Sequence, residues 1–300
     1  MSRKTHMPIM LIGALFITVS VYMALALGMT ILLILPPLYT SLLSFTSPRR
    51  VAVGASLLSG LGLMLFVDPL HAVLYTLTGA VFGILVYSLS YALQRVEVIV
   101  VLMGTYLSSV YVAYIFAARA LFGVDVLASI KTAIVQTFGS ELAAMGLDVS
   151  GLLRQMTTLS FGGMFIMGGA MALWSLYMGA RLAATRGIPV LVPNFLAFRL
   201  KELTLLPMAG LFAFTFLLSQ LGGQDFWQIA SVLILILIFL FFLQGISFVA
   251  WWRAKRGKAN RFFYVIACLL FLIPMGQVSL GLLGFIENMT QMRKIGGSSG

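Results

Sequence analysis

Apolar residues run through this chain in long uninterrupted stretches separated by short polar gaps, without the two-residue alternation of half-buried strands. Stretches near 20 residues match helices that cross a hydrocarbon core about 30 Å thick. The first run, 7–45, is too long for one crossing, and splitting it near Gly28 gives spans at 8–26 and 29–46. Ser47-Pro48 then offers a cap followed by proline at the first helical position. That predicts a third span over 51–66, and Asp68-Pro69 repeats the logic for a fourth over 70–93, closing at Gln94-Arg95. Further spans are expected at 98–118, 159–180, 203–220 and 226–250. The predicted fold class is all-α: a polytopic transmembrane helix bundle of about eight spans plus a C-terminal broken span or helical hairpin.

The pattern also suggests an organisation. Residues 1–118 read as an N-terminal five-span bundle and 159–295 as C-terminal spans with the terminal hairpin. Between them, 119–158 is richer in polar and small residues, and Leu127, Ile130, Ile134 and Phe138 recur at helical spacing. An amphipathic, extracytoplasmic helix is expected there, on the membrane surface or capping the bundle. Residues 296–300, Gly-Gly-Ser-Ser-Gly, read as an appended linker. Arg3 and Lys4 before an apolar stretch imitate a signal peptide, but the apolar character continues well past Ala24-Leu25-Ala26, so an uncleaved first helix is expected.

Charge sets the orientation. Apolar residues make up 61% of the chain and charged ones 9%, against about 25% charged in soluble domains. The net charge of +11 does not point to nucleic acid, because the basic residues sit beside apolar spans, where they set topology and contact anionic lipid headgroups. A hairpin turning near Pro274 would return Arg293 and Lys294 to the side of the basic loop 253–261. Only Arg119, Lys131 and Arg154 of the 19 basic residues would then lie outside, as the positive-inside tendency asks. Both hairpin helices would be shorter than a standard span and would need protein contacts or local thinning of the bilayer.

Small residues mark close packing. Ala52, Ser56 and Gly60 form a stripe on the third span, and Gly79 and Gly83 a GxxxG on the fourth, so these two helices are expected to approach closely.

Ionisable and amide groups inside a membrane are functional candidates by default. Asp68 and Asp225 suit a cap and a turn, and Glu97 can pair with Arg95. Glu287 lies on the last helix near its basic end, where it could pair with Arg261 or Arg293 or accept hydrogen bonds inside the bundle. Gln244, Ser247 and Gln277 also need partners in hydrocarbon. With Asn288 beside Glu287, these five form the candidate ligand-binding set. No catalytic residue and no metal site is predicted: Cys268 is the sole cysteine, His6 and His71 are far apart, and Asp68 with His71 suits local capping. P-loop, GxSxG and HExxH motifs are absent, so no ATPase, no enzyme activity and no cofactor are expected.

Leu243-Gln244-Gly245-Ile246-Ser247, Phe198-Arg199-Leu200 ahead of the Leu206-Pro207 span, and the terminal Gly284, Glu287-Asn288 and Arg293 resemble the YybS-like family of bacterial integral membrane proteins. The resemblance extends over most of the chain, and Glu287 stands where that family usually has aspartate. More distantly, the first half is similar to substrate-binding subunits of energy-coupling-factor transporters and to the membrane subunit of the rod-shape machinery. It implies a multi-pass protein of the bacterial inner membrane with a cytoplasmic N-terminus. Two functions are expected from it: binding or transport of a small molecule or lipid, or a scaffold for an envelope complex with a protein partner subunit.

Overall fold

Gly28 ends the first helix as a left-handed residue, with φ of +66°. The computed structural model describes residues 6–144, 149–200, 226–258, 261–271 and 273–295. Helix α1 spans His6–Ala26, and a 3-10 turn at Thr30–Ile34 leads into α2, Leu35–Thr46. Pro36 and Pro37 remove two backbone donors, so they fit only in the first turn of α2. Helix α3 is Arg49–Leu63, α4 is Pro69–Tyr75, and a π-helical turn at Thr76–Val81 joins α4 to α5, Phe82–Leu93. Gln94, left-handed with φ of 47°, stops α5. Helix α6, Val96–Phe122, closes on left-handed Gly123, whose N–H and that of Val124 bond back to the carbonyls of Arg119 and Ala118.

Asp125 then caps α7, Val126–Ala144, by accepting the Ala128 N–H at 2.9 Å. Helix α8 is Val149–Thr185 and α9 is Phe226–Lys255. The last three helices are α10, Arg261–Phe271, α11, Pro274–Thr290, and α12, Met292–Ile295.

All described elements are helical, and the helices make this a multi-pass membrane protein by length and hydropathy. The expected count of about eight spans is corrected. Among the described residues five helical segments are long and apolar enough to cross: 6–26, 69–93, 96–122, 159–185 and 230–255. The bent pair α10–α11 brings the number to six if it counts as one. Two expected spans fall short for physical reasons. Gly28 and the Pro-Pro pair confine the second to 12 α-helical residues, roughly 18 Å. The third reaches only 15 residues before the turn at Met64–Val67, roughly 22 Å. The expected span at 203–220, Asp225 and the 296–300 tail lie outside the described residues.

Contacts divide the chain into two units, with α8 split between them: 1–150 with 167–193, and 151–166 with 194–300. In the first unit α1 packs along α3, where Gly54 leaves room for Met10 and Gly62 for Thr18. The stripe on α3 meets the next span as expected, with Gly60 against the Thr76 side chain. Gly79 and Gly83 behave differently. They face α2, where a Cβ at Gly83 would collide with the Thr40 hydroxyl and the Pro37 carbonyl. Phe82, Val86, Ile99, Met103, Leu107, Met171, Ala172 and Leu176 form the main apolar cluster of this unit.

In the second unit α9 packs most extensively on α11. A Cβ at Gly245 would strike the Leu280 carbonyl, and one at Gly284 the Phe241 carbonyl, so the two backbones touch. Helix α10 starts near the basic end of α9, where Arg253 lies 5.7 Å from the Phe263 ring centroid. It runs back to Phe271, which meets Phe239 and Phe242 at 6.2 and 5.2 Å. The chain bends by 114° between α10 and α11. Helix α11 then runs parallel to α9, and Met292 beyond its end lines the same groove as Trp251, Trp252 and Arg256. The pair thus starts and finishes at one end of α9 and turns roughly 24 Å deep, level with Phe239.

Candidate functional site

The candidate residues at the basic end of the second unit meet in one buried polar network. Gln244, Ser247 and Glu287 are all 0% exposed. Leu243-Gln244-Gly245-Ile246-Ser247 is α-helical, so Gln244 and Ser247, three apart, share one face of α9. Gly245 lets α11 approach that face, which brings Glu287 and Asn288 within reach. Gln244 Nε2 donates to Glu287 Oε2 at 2.5 Å and to Asn288 Oδ1 at 3.2 Å, and its Oε1 accepts the Leu200 N–H at 3.0 Å. Ser247 Oγ donates to the carbonyls of Phe195 and Phe198, at 2.8 and 3.2 Å.

Arg293 ties these pieces together. Its Nε lies 3.2 Å from Glu287 Oε1, an ion contact without the alignment of a hydrogen bond. Its Nη1 donates to the Leu196 carbonyl at 2.7 Å, the Phe198 carbonyl at 3.2 Å and Ser247 Oγ at 3.2 Å. Burial pulls the guanidinium below its ordinary value, Glu287 opposes that pull and Arg199 adds to it. Arginine nevertheless stays charged. Of the two cations open to Glu287 on sequence grounds, Arg293 is the one in contact; the Arg261 side chain lies outside the described ones.

The acceptors of the network are the backbone of a short irregular segment. Asn194 caps the 3-10 turn Phe195–Ala197 by accepting the Leu196 N–H at 3.0 Å. Its turned backbone aims the carbonyls of Phe195, Leu196 and Phe198 at Ser247 and Arg293. Buried backbone polar groups in a membrane protein need such partners. Chemically the arrangement is a clamp: one cation, one anion, two amides and a hydroxyl hold α9, α11 and segment 194–200 together with their hydrogen bonds directed at one another.

Gln277 stands apart from this group. It sits at the hairpin tip, where its Nε2 donates to the Phe271 carbonyl at 2.5 Å and so satisfies the end of α10. The Ile273, Gly276 and Gln277 N–H groups bond to Leu270 and Ile273 carbonyls. Gly276 permits this tight return, because a Cβ there would collide with the Leu270 carbonyl. These bonds satisfy described backbone groups of the turn, as the interior of a bilayer would require.

Beside the clamp lies a groove of about 480 Å³ lined by Phe248, Trp251, Trp252, Lys255, Arg256 and Met292. Arg256 stacks 3.7 Å from the Trp252 ring centroid, and Lys255 lies 5.7 Å from that of Trp251. Sequence reasoning missed this groove, although Trp251-Trp252 followed by four basic residues at the end of a span is an aromatic-belt signature.

In the first unit, the expected Asp68 cap and Arg95–Glu97 pair both form, at 3.1 Å to the His71 N–H and 2.9 Å between side chains. The His71 ring bridges Asp68 and the Tyr114 hydroxyl, the latter at 2.8 Å. Tyr114 was not singled out from sequence, having no spacing relation to His71. Tyr114 also lines an apolar groove of about 370 Å³ between α6 and the α4 segment with its π-helical turn, together with Val73, Leu77, Tyr106 and Val110 among others.

No family model, no curated protein and no solved structure matches this chain.

Proposed function

We propose that this protein binds a lipid or a similarly membrane-borne small molecule at the faces of its helices, in the bacterial inner membrane. Its N-terminus and the 253–261 loop are cytoplasmic, and it has no ATPase or enzyme activity of its own. The observation that carries the reading is the groove at the basic end of α9, lined by Phe248, Trp251, Trp252 and Met292 together with the cations Lys255 and Arg256. A solute cavity lined by Gln244, Ser247 and Glu287 is a weaker form of the same idea. Those side chains are fully buried and bonded to each other, so a polar solute would have to break the clamp to reach them.

One observation favours the scaffold reading as well. Residues 254–258 are exposed beside the clamp, and a rigid helix end with a basic loop suits docking of a partner subunit. Native mass spectrometry of the protein extracted gently from its membrane separates the two. A lipid or small molecule retained at unit stoichiometry supports binding; a retained protein subunit without such a ligand supports the scaffold and contradicts the binding reading.

A further inference from the structure

We infer that the groove at the basic end of α9 holds one anionic phospholipid, with its phosphate at Arg256 and Lys255 and its glycerol and first acyl carbons against Phe248, Trp251 and Met292. The inference rests on the binding reading above and names the ligand class.

The two cations select an anion. The guanidinium carbon of Arg256 lies 3.7 Å over the Trp252 ring, and a guanidinium packed on an aromatic ring keeps N–H donors for an in-plane acceptor such as phosphate. The carboxylates of Asp68, Glu97 and Glu287 pair with His71, Arg95 and Arg293 and not with Arg256. Arg253 and Lys258 add positive charge within the same turn of chain.

The apolar lining selects a lipid over a free anion. Phe248 and Met292 are apolar, and Trp251-Trp252 ends a span of high hydropathy, at the depth where indoles meet headgroups. Inorganic phosphate would use only Lys255 and Arg256. A groove of about 480 Å³ suits a headgroup with the start of its chains, leaving the rest of each chain in the bilayer.

The groove also differs from diffuse attraction between a basic surface and an anionic leaflet. Its walls come from α9 and from Met292, which the clamp holds in position through its neighbour Arg293. Binding should therefore depend on these two cations and not on equally exposed ones such as Arg49 and Arg50.

The test uses the full chain, delipidated in mild detergent and mixed with equal amounts of phosphatidylglycerol and phosphatidylethanolamine, read by native mass spectrometry. The expected result is one phosphatidylglycerol retained, with about tenfold preference over phosphatidylethanolamine. The double variant Lys255→Gln, Arg256→Gln should lose about tenfold in retention, the effect of removing a charge-assisted contact. Arg49→Gln with Arg50→Gln should leave it unchanged. Both pairs are exposed, so equal thermal unfolding of the lipid-free variants confirms their folding. Equal retention of the two lipids would overturn the anionic assignment and leave lipid binding standing. Equal loss in both double variants would reduce the site to diffuse charge. Displacement by inorganic phosphate would make the free anion the ligand, and retention of neither lipid would overturn the binding reading too.

Discussion

The Gln244 amide lies 2.5 Å from the Glu287 carboxylate, with both side chains fully buried between α9 and α11. A buried carboxylate is tolerable only with hydrogen bonds and a counter-charge. Gln244 supplies the first to one oxygen and Arg293 the second to the other. Replacing Gln244 by Leu leaves the Leu200 N–H without its acceptor and Glu287 without its donor. The expected loss is about 1–3 kcal/mol, measured by reversible denaturation in mixed micelles. An unchanged midpoint would remove the clamp from the account of stability.

The Glu287–Arg293 pair should be strongly coupled. Arg293→Met strands a buried charge and should cost about 3–5 kcal/mol. Adding Glu287→Gln removes that charge, so the double variant should be less destabilised than the sum of the single ones by about 0.5–3 kcal/mol. A double-mutant cycle measures this coupling, and additivity would mean that the contact contributes nothing.

Glycine contacts carry the α9–α11 packing. Gly284→Val forces side-chain volume into the Phe241 carbonyl, and about 1–3 kcal/mol of destabilisation is expected. Gly163, which has open space around it, is the control: Gly163→Ala should fall within ~0.5 kcal/mol of the parent.

Acid should weaken the start of α4. Desolvation pushes the Asp68 carboxyl up, and hydrogen bonds from the His71 backbone and ring outweigh it, holding the group below the usual carboxylate range. Its contribution is therefore present above the unfolded-state value and disappears as pH falls through the lower folded one. Asp68→Asn should flatten the acid limb of the stability profile, below the usual carboxylate range; an identical limb in both proteins would show that another group causes it.

Much of this arrangement was legible in the residues themselves. Spans at 8–26, 70–93, 98–118, 159–180 and 226–250 stand close to helices of the structure because uninterrupted apolar length is a direct signal of crossing. Gln244, Ser247, Glu287 and Asn288 stood out as polar groups that hydrocarbon cannot satisfy, and they do meet. What stayed hidden depends on tertiary contact. The short α2 and α3 look like spans because apolar composition does not report that Pro36-Pro37 sit in the first turn of α2 or that the chain turns at Met64–Val67 after α3. The role of segment 194–200 rests on backbone carbonyls, which carry no side-chain signature. Gly79 and Gly83 showed that a close approach would occur but not that α2 would be the neighbour.

The return of α11 along α9 after the 114° bend from α10 is the feature on which the clamp and the groove both depend, and the sidedness of its two ends tests it most directly. In a Cys268→Ser background, single cysteines at Arg256 and Lys294 would be probed with a membrane-impermeant maleimide in inside-out and right-side-out vesicles. Labelling of both positions from the same side is expected, since Met292 and Arg256 line one groove at the basic end of α9. Labelling from opposite sides would show that the last apolar region crosses the membrane once, contradicting the hairpin and the groove beside it.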